Sequence, residues 1–320
     1  MRLKALVLAL TFTGGLAAQA HAAEGKISGY MFGDYYYNVS GPAEKENGFQ
    51  FRRIYFTYDL KWSDKVSGRF RLEANDARFS KSTGKMTPYV KESSITWKQA
   101  QGSLSAGLVP TLTWALQEKV WGYRSIEKTI MDLRSKGSAV DLGLQWNRKL
   151  GGSSSVALML SNGDGTSAET NNNKKIALQL LTKVAGLDAK VYADMETPEK
   201  EKDKTTLAGF IGKSGDGFHG GIEGFYRIDK KAAAGEDQKG FGVSLFGAKP
   251  VAEGKKLFAR VDLYDKDGDA EDDQETLLIA GLDWALAKDL HVMPNVLVTL
   301  YQDSAKDTQL VPRITGFFEF

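Results

Sequence analysis

The chain has 320 residues, 42 basic against 40 acidic side chains, no cysteine, three histidines, 34 glycines and 42% apolar residues. Zero cysteine excludes a disulfide framework, a thiol nucleophile and a cysteine-ligated metal. Near-zero net charge at this apolar content excludes a wholly disordered chain and the basic footprint of a nucleic-acid binder. Mean hydropathy is negative, and no apolar run after the first twenty-odd residues approaches a spanning helix.

In chain order, Arg2 and Lys4 form a short basic start, an apolar stretch runs from Ala5 through Leu16, and Ala20-His21-Ala22 is a small-x-small cleavage signal. This pattern predicts an export signal over residues 1–22, cut after Ala22 or after Ala20, and a single domain over 23–320. Its removal takes away two basic and no acidic side chains, so the exported chain is charge-balanced.

From there the hydrophobic period is two. Ile54, Phe56, Tyr58, Leu60 and Trp62 share one face, while Arg53, Tyr55, Thr57, Asp59 and Lys61 share the other. After Ser63-Asp64-Lys65 the alternation resumes, with Val66, Gly68, Phe70, Leu72 and Ala74 opposite Ser67, Arg69, Arg71, Glu73 and Asn75. One face suits lipid and the other water. Sixteen such segments are predicted, near residues 26–37, 49–62, 66–75, 88–98, 103–109, 139–146, 154–162, 174–182, 187–196, 204–212, 218–229, 239–248, 256–264, 275–285, 290–301 and 310–320. Short turns follow the even segments and most odd ones are followed by longer polar connections, the two-rimmed asymmetry of an outer-membrane barrel. The fold class expected is all-β: a transmembrane antiparallel β-barrel of about 16 strands.

Trp62, Trp97, Trp146 and Trp284 close even strands on the apolar face beside short turns, as an interfacial aromatic belt in contact with outer-membrane lipid would. The final strand alternates and ends in Phe320, which resembles the closing strand of bacterial outer-membrane proteins. Phe51-Arg52-Arg53-Ile54-Tyr55-Phe56, Phe70-Arg71-Leu72-Glu73, Lys91-Glu92, Trp121-Gly122-Tyr123-Arg124 and Met293-Pro294-Asn295 are similar to Gram-negative porins related to the phosphate-selective (O/P-type) family. No lysine-rich ladder of the kind that family uses for phosphate stands in this sequence. The resemblance implies passive diffusion of small hydrophilic solutes through a homotrimer, with lipid and lipopolysaccharide as surroundings. A non-conducting structural or adhesive barrel is the alternative.

Residues 110–136 break the alternation. Leu112, Leu116 and Val120, then Ile126, Ile130 and Leu133, fall at helical spacing. The stretch follows the fifth strand, and the resemblance implies a loop folded into the barrel as a constriction. It carries Lys119, Arg124, Lys128, Arg134 and Lys136 against Glu118, Glu127 and Asp132, and the inward parity of the second and third strands adds Arg53, Lys61, Arg69 and Arg71 against Asp59 and Glu73. Lys119, Arg124, Lys128, Arg53, Arg69 and Arg71 are therefore the candidate channel-lining residues. A basic ring at a narrowing lowers the barrier to anions and raises it to cations; local pairing that merely stiffens the loop is the other reading.

The acidic run Asp265-Lys266-Asp267-Gly268-Asp269-Ala270-Glu271-Asp272-Asp273 reads as a solvated outward loop, with calcium or divalent bridging to lipopolysaccharide as the alternative. No cofactor and no metal site are expected. His219 and His291 are the histidines left after cleavage, both on inward parity, and neither has identifiable catalytic neighbours in the sequence. Phosphate-loop, His-Glu-x-x-His and dinucleotide fingerprints do not occur, so no enzymatic activity is expected.

Overall fold

The computed structural model describes residues 24–75, 84–197, 202–233 and 235–320. The export signal expected over 1–22 lies outside the described residues. Sixteen strands run in order: β1 (Glu24–Tyr37), β2 (Asn47–Lys61), β3 (Val66–Ala74), β4 (Tyr89–Gln99), β5 (Gly102–Pro110), β6 (Val140–Gly151), β7 (Ser154–Ser161), β8 (Lys175–Val184), β9 (Leu187–Glu196), β10 (Lys204–Lys213), β11 (His219–Ala233), β12 (Glu236–Ala252), β13 (Lys255–Asp265), β14 (Gln274–Ala287), β15 (Leu290–Tyr301) and β16 (Gln309–Glu319). Each pairs antiparallel with its sequence neighbours, and β1 pairs with β16, closing the barrel. Closure removes every sheet edge, so each strand's backbone groups find partners within the wall. Gly29 and Phe320 exchange two backbone hydrogen bonds of 2.9 Å at the seam, tying down the carboxyl terminus.

All sixteen predicted segments coincide with observed strands. The largest differences are at β6, which runs on to Gly151, and at β11 and β12, which extend to Ala233 and back to Glu236, so only residues 234–235 separate them. The pairing runs to Asp229↔Gln238 and, after a register shift, resumes at Ala233↔Glu236, where the polar sequence shows no alternation. Backbone hydrogen bonding needs no apolar pattern once a neighbouring strand is in register, and a tall hairpin replaces the loop expected there.

The outward face is apolar: Phe56, Ile95, Leu144, Leu178, Leu207, Leu245, Leu263 and Ile314 all stand exposed. The inward face divides into two halves. On β1–β5 it is mostly charged and polar, whereas on β7–β15 apolar side chains such as Met159, Tyr192, Phe210, Phe225, Phe246, Phe258, Ile279 and Met293 are buried among charged ones such as Lys190, Glu223, Arg227, Arg260 and Asp262. The lumen is therefore not wet all round: the β7–β15 side is a mixed seat for the loop between β5 and β6.

Two register shifts re-aim side chains on the charged half. On β1 and β2, Phe32 faces Arg53 but Asp34 faces Gln50, so Phe51 and Arg52 together oppose Gly33. On β3 and β4, Arg71 faces Glu92 while Leu72 faces Val90, leaving Lys91 as the extra residue. A bulge breaks the two-residue period, and consecutive pairs Arg52-Arg53 and Lys91-Glu92 both turn inward.

Candidate functional site

The 111–139 loop contains two short helices, α1 (Ala115–Trp121) and α2 (Ile130–Leu133). Ala115-Leu116-Gln117-Glu118-Lys119 are good helix formers. Gly122 then stops α1 in the left-handed region at φ 73°, its N–H donating to Glu118 O at 3.0 Å. Helices this short do not stand alone in water, so packing holds them. Val120, Trp121 and Ile126 lie against Phe246, Phe258 and Leu277, and Leu112, Ile130 and Met131 belong to a second cluster with Tyr192, Phe225 and Tyr264. Trp121, Ile126 and Ile130 are each fully buried, and each contributes about 2 kcal/mol. Gly242 on β12 makes room for this seat: a Cβ there would stand 2.4 Å from the Phe225 ring and 2.9 Å from Ile130 Cδ1.

Charged side chains of the wall satisfy the loop backbone. Arg52 donates to the carbonyls of Ser125 and Ile126, Arg260 to that of Lys128, and Lys190 to that of Thr113, while the Glu223 carboxylate accepts the Ile130 N–H at 3.3 Å. Arg134 of the loop pairs with Glu275, and Trp121 Nε1 donates to Glu127 O at 3.0 Å within the loop. Buried polar groups are costly unless paired, so these contacts fix the loop in one position, pressed against β7–β15.

Space remains on the opposite side, between the loop and the β1–β4 wall. A cavity of about 490 Å³ on the long-loop side is lined by Arg52, Arg53, Lys91, Arg124 and Lys128 with only Glu73 and Asp132 as carboxylates. A second, of about 430 Å³ on the short-turn side, lies between the loop and β1, β14, β15 and β16, with Lys119 and Arg124 facing Glu118, Asp283 and Glu319, and His291 beside them. Phe32 and Arg124 line both and mark where they meet. A third, of about 610 Å³ and containing Arg69, opens near the turn at Ser63. Basic groups thus outnumber acidic ones on the long-loop side of the narrowing, while the two are balanced around the turn-side cavities.

Of the predicted residues, the structure brings Arg53, Arg124 and Lys128 around the first cavity, places Lys119 and Arg124 on the second, and puts Arg69 in the third. The three predicted wall arginines are each paired with a carboxylate: Arg53 meets Glu73 at 3.1 Å, a partner it shares with Lys91, Arg69 meets Asp59 at 2.6 Å, and Arg71 meets Glu92 at 3.8 Å. Arg71 also donates to Thr57 Oγ1 at 2.9 Å, and its guanidinium lies over the Tyr55 ring. Lys119 stands exposed and makes no ion pair with a described residue. Arg52 and Lys91 escape a strict two-residue parity because each sits at a bulge; Arg52 belongs to the quoted Arg-Arg pair, and two adjacent arginines in a strand are the signal that was there to find.

Electrostatics within the loop follow burial and partners. Burial pushes the Glu118 carboxyl above its ordinary range, against the opposing pull of Arg124 and Arg53. Burial acts the same way on Glu127, but there Arg52 and the Lys128 N–H outweigh it and hold the carboxyl low. Lys136 is lowered, chiefly by burial.

His291 Nδ1 is 2.7 Å from Asp283 Oδ1, and Asp283 Oδ2 accepts the Tyr123 hydroxyl at 3.3 Å, so the imidazole braces the loop. His219 stacks on the Tyr123 ring at 6.1 Å. In the acidic run, Asp269 pairs with Lys239 at 2.8 Å and Asp265 accepts from Gln274 at 2.9 Å. Among the described residues, no group of three acidic or histidine side chains is placed to hold a metal. Trp62, Trp97 and Trp284 are 43%, 51% and 46% exposed on the outer wall, and Trp146 is half-buried in the same row as Trp97, through Leu104. Trp114 and Trp121 are buried inside at 4% and 0%.

No protein-family model and no curated protein matches the chain. Solved structures do. The outer-membrane channel DcaP of Acinetobacter baumannii aligns with a TM-score of 0.68 at 12% identity, over 96% of this chain and 99% of its own. An anion-selective porin from Comamonas acidovorans aligns at 0.66 and 14% identity, over 93% and 100%. OmpT of Vibrio cholerae, an outer-membrane protein solved in a trimer form, aligns at 0.65 and 13% identity, over 94% and 100%. The fold of this chain is the closed sixteen-stranded antiparallel barrel of Gram-negative outer-membrane porins.

Proposed function

We propose that the chain is an outer-membrane channel of a Gram-negative bacterium, conducting small hydrophilic solutes by passive diffusion with a weak preference for anions. The observation that carries this reading is the pair of cavities that meet at Phe32 and Arg124 beside the 111–139 loop, with five cations against two carboxylates on the long-loop side. A diffusing anion meets a favourable field there, and a cation an unfavourable one. Exposed tryptophans beside the short turns and an apolar outer wall fit a membrane-embedded barrel. Assembly as a homotrimer in lipid and lipopolysaccharide, an export signal over 1–22 and kinship to the O/P-type porins complete the proposal.

Planar-bilayer recording of the purified mature chain tests it. Stepwise open channels are expected, with a reversal potential on the anion side in a KCl gradient. Silence from a folded barrel would favour the non-conducting structural or adhesive reading, and a cation-side potential would remove the anion preference.

A further inference from the structure

The outer wall carries few charged side chains, and on its strands near the short turns they are all cations. Among the described residues, Arg148, Lys213, Lys249 and Lys255 stand on the outward face at the turn-side ends of β6, β10, β12 and β13, and none has a carboxylate partner. Lys230 and Lys239, near the opposite rim, instead pair with Asp203 at 3.4 Å and Asp269 at 2.8 Å. A cation on a lipid-facing wall is tolerated at the interface, where its head reaches the polar layer, and not at the bilayer centre. Lys249 and Lys255 belong to neighbouring strands, and Lys255 Nζ lies 5.2 Å from the centre of the Trp284 ring, at the level where interfacial tryptophans sit. Beside them the wall is indented. A groove of about 850 Å³ has Lys249 at its turn-side end and Phe218, Leu245, Leu257 and Pro294 along its sides. Its floor is Gly247, Ala259 and Ala280, paired in one row across β12–β14. Phe218, 60% exposed, overhangs that floor, since a Cβ at Gly247 would stand 3.2 Å from its ring. Strands of such a barrel tilt, so a row across them climbs from the rim into the hydrocarbon.

We propose that this stretch of the outer wall binds one anionic phospholipid of the periplasmic leaflet, with Lys249 and Lys255 taking the headgroup phosphate and the groove taking an acyl chain. Charge selects the headgroup. Two cations without a carboxylate leave a positive spot that an anionic lipid neutralises, whereas a zwitterionic lipid brings an ammonium of its own to the same place. Shape selects the position. Within lipid, close packing rather than exclusion from water favours one contact over another, and a chain on the Gly247, Ala259 and Ala280 floor is flanked by Phe218, Leu245 and Leu257 where a smooth wall would touch it on one side only. The site faces away from the 111–139 loop and does not depend on conduction.

The test titrates the purified mature barrel in detergent with phosphatidylglycerol or, in a separate arm, with phosphatidylcholine of the same chains, and counts bound lipid by native mass spectrometry. One phosphatidylglycerol is expected to bind saturably, about fivefold or more tighter than phosphatidylcholine. Lys249→Gln/Lys255→Gln is expected to weaken phosphatidylglycerol about tenfold and leave phosphatidylcholine unchanged, while Lys249→Arg/Lys255→Arg retains the wild-type preference. Ala259→Leu, which fills the floor, is expected to weaken both lipids. Arg148→Gln removes an outward rim cation away from the groove and is expected to change neither. Equal affinity for the two lipids, full binding in the double glutamine variant, or the same loss in Arg148→Gln would overturn the site. Glycerol phosphate carries the headgroup without chains, and its displacing the lipid at equal concentration would overturn the part given to the groove.

Discussion

Arg52 reaches from β2 across the lumen and donates through Nη1 to the carbonyls of both Ser125 and Ile126, at 3.0 and 2.8 Å. One guanidinium thus clamps the turn between α1 and α2. Loss of such charged hydrogen bonds costs roughly 2 kcal/mol or more. Arg52→Met is expected to lower hydrogen-exchange protection of residues 123–128 and to make the open-channel current noisier; unchanged protection would show that the apolar seat alone fixes the loop.

The seat itself is tested at Gly242. A valine there would collide with the Phe225 ring and with Ile130, and overpacking of this kind costs roughly 1–3 kcal/mol. The loop can yield more easily than the hydrogen-bonded wall, so Gly242→Val is expected to lift α2 from β12 and raise single-channel conductance. Gly122→Ala, which keeps the seat but forces a side chain into the left-handed region at φ 73°, is expected to lower stability by about 1 kcal/mol, read from the thermal unfolding midpoint in detergent.

Protonation of Glu118 is expected to change selectivity with pH. Its carboxyl is raised by burial, so it discharges above the ordinary carboxylate range as pH falls. The folded state holds this proton more tightly than the unfolded state, and the contribution of Glu118 to stability therefore falls as pH rises from the unfolded toward the folded value. Acidification from neutral is expected to shift the reversal potential toward stronger anion preference, and Glu118→Gln to remove that part of the shift. A wild-type potential independent of pH over this range would contradict it.

Trp62, Trp97, Trp146 and Trp284 stand on the outer wall, and Trp114 and Trp121 are buried behind the loop. Brominated phospholipid is expected to quench most emission in a Trp114→Phe/Trp121→Phe variant. A variant keeping only the two inner tryptophans is expected to be left nearly unquenched. Equal quenching of the two would contradict the inward and outward assignment.

The wall was legible because a membrane barrel writes its fold in side-chain alternation. Ile54, Phe56 and Tyr58 opposite Arg53, Tyr55 and Thr57 fixed both the strand and its faces. The loop was legible as a helical interruption, since Val120, Ile126 and Ile130 form the buried face. Where it docks was not, because its seat consists of inward residues such as Phe225 and Phe246 that alternate along glycine-rich strands with charged or polar inward ones such as Glu223, Arg227 and Ser244. That pattern looks like weak alternation until the loop is in place. Arg52 and Lys91 were hidden by bulges, which shift parity by one residue without changing composition. Pairing of Arg53 with Glu73, or of Arg69 with Asp59, depends on cross-strand register, which sequence spacing alone does not set.

Water crosses the barrel on the β1–β4 side of the 111–139 loop if the proposed channel is right. The chain has no cysteine, so Lys128→Cys, facing the cavity beside the β1–β4 wall, and Ile130→Cys, packed against the opposite wall, can each be treated with a negatively charged methanethiosulfonate during bilayer recording. The expected result is a fall in chloride current for the cysteine at 128 and no change at 130. Current that is indifferent to modification at 128 but responds at 130 would contradict the account.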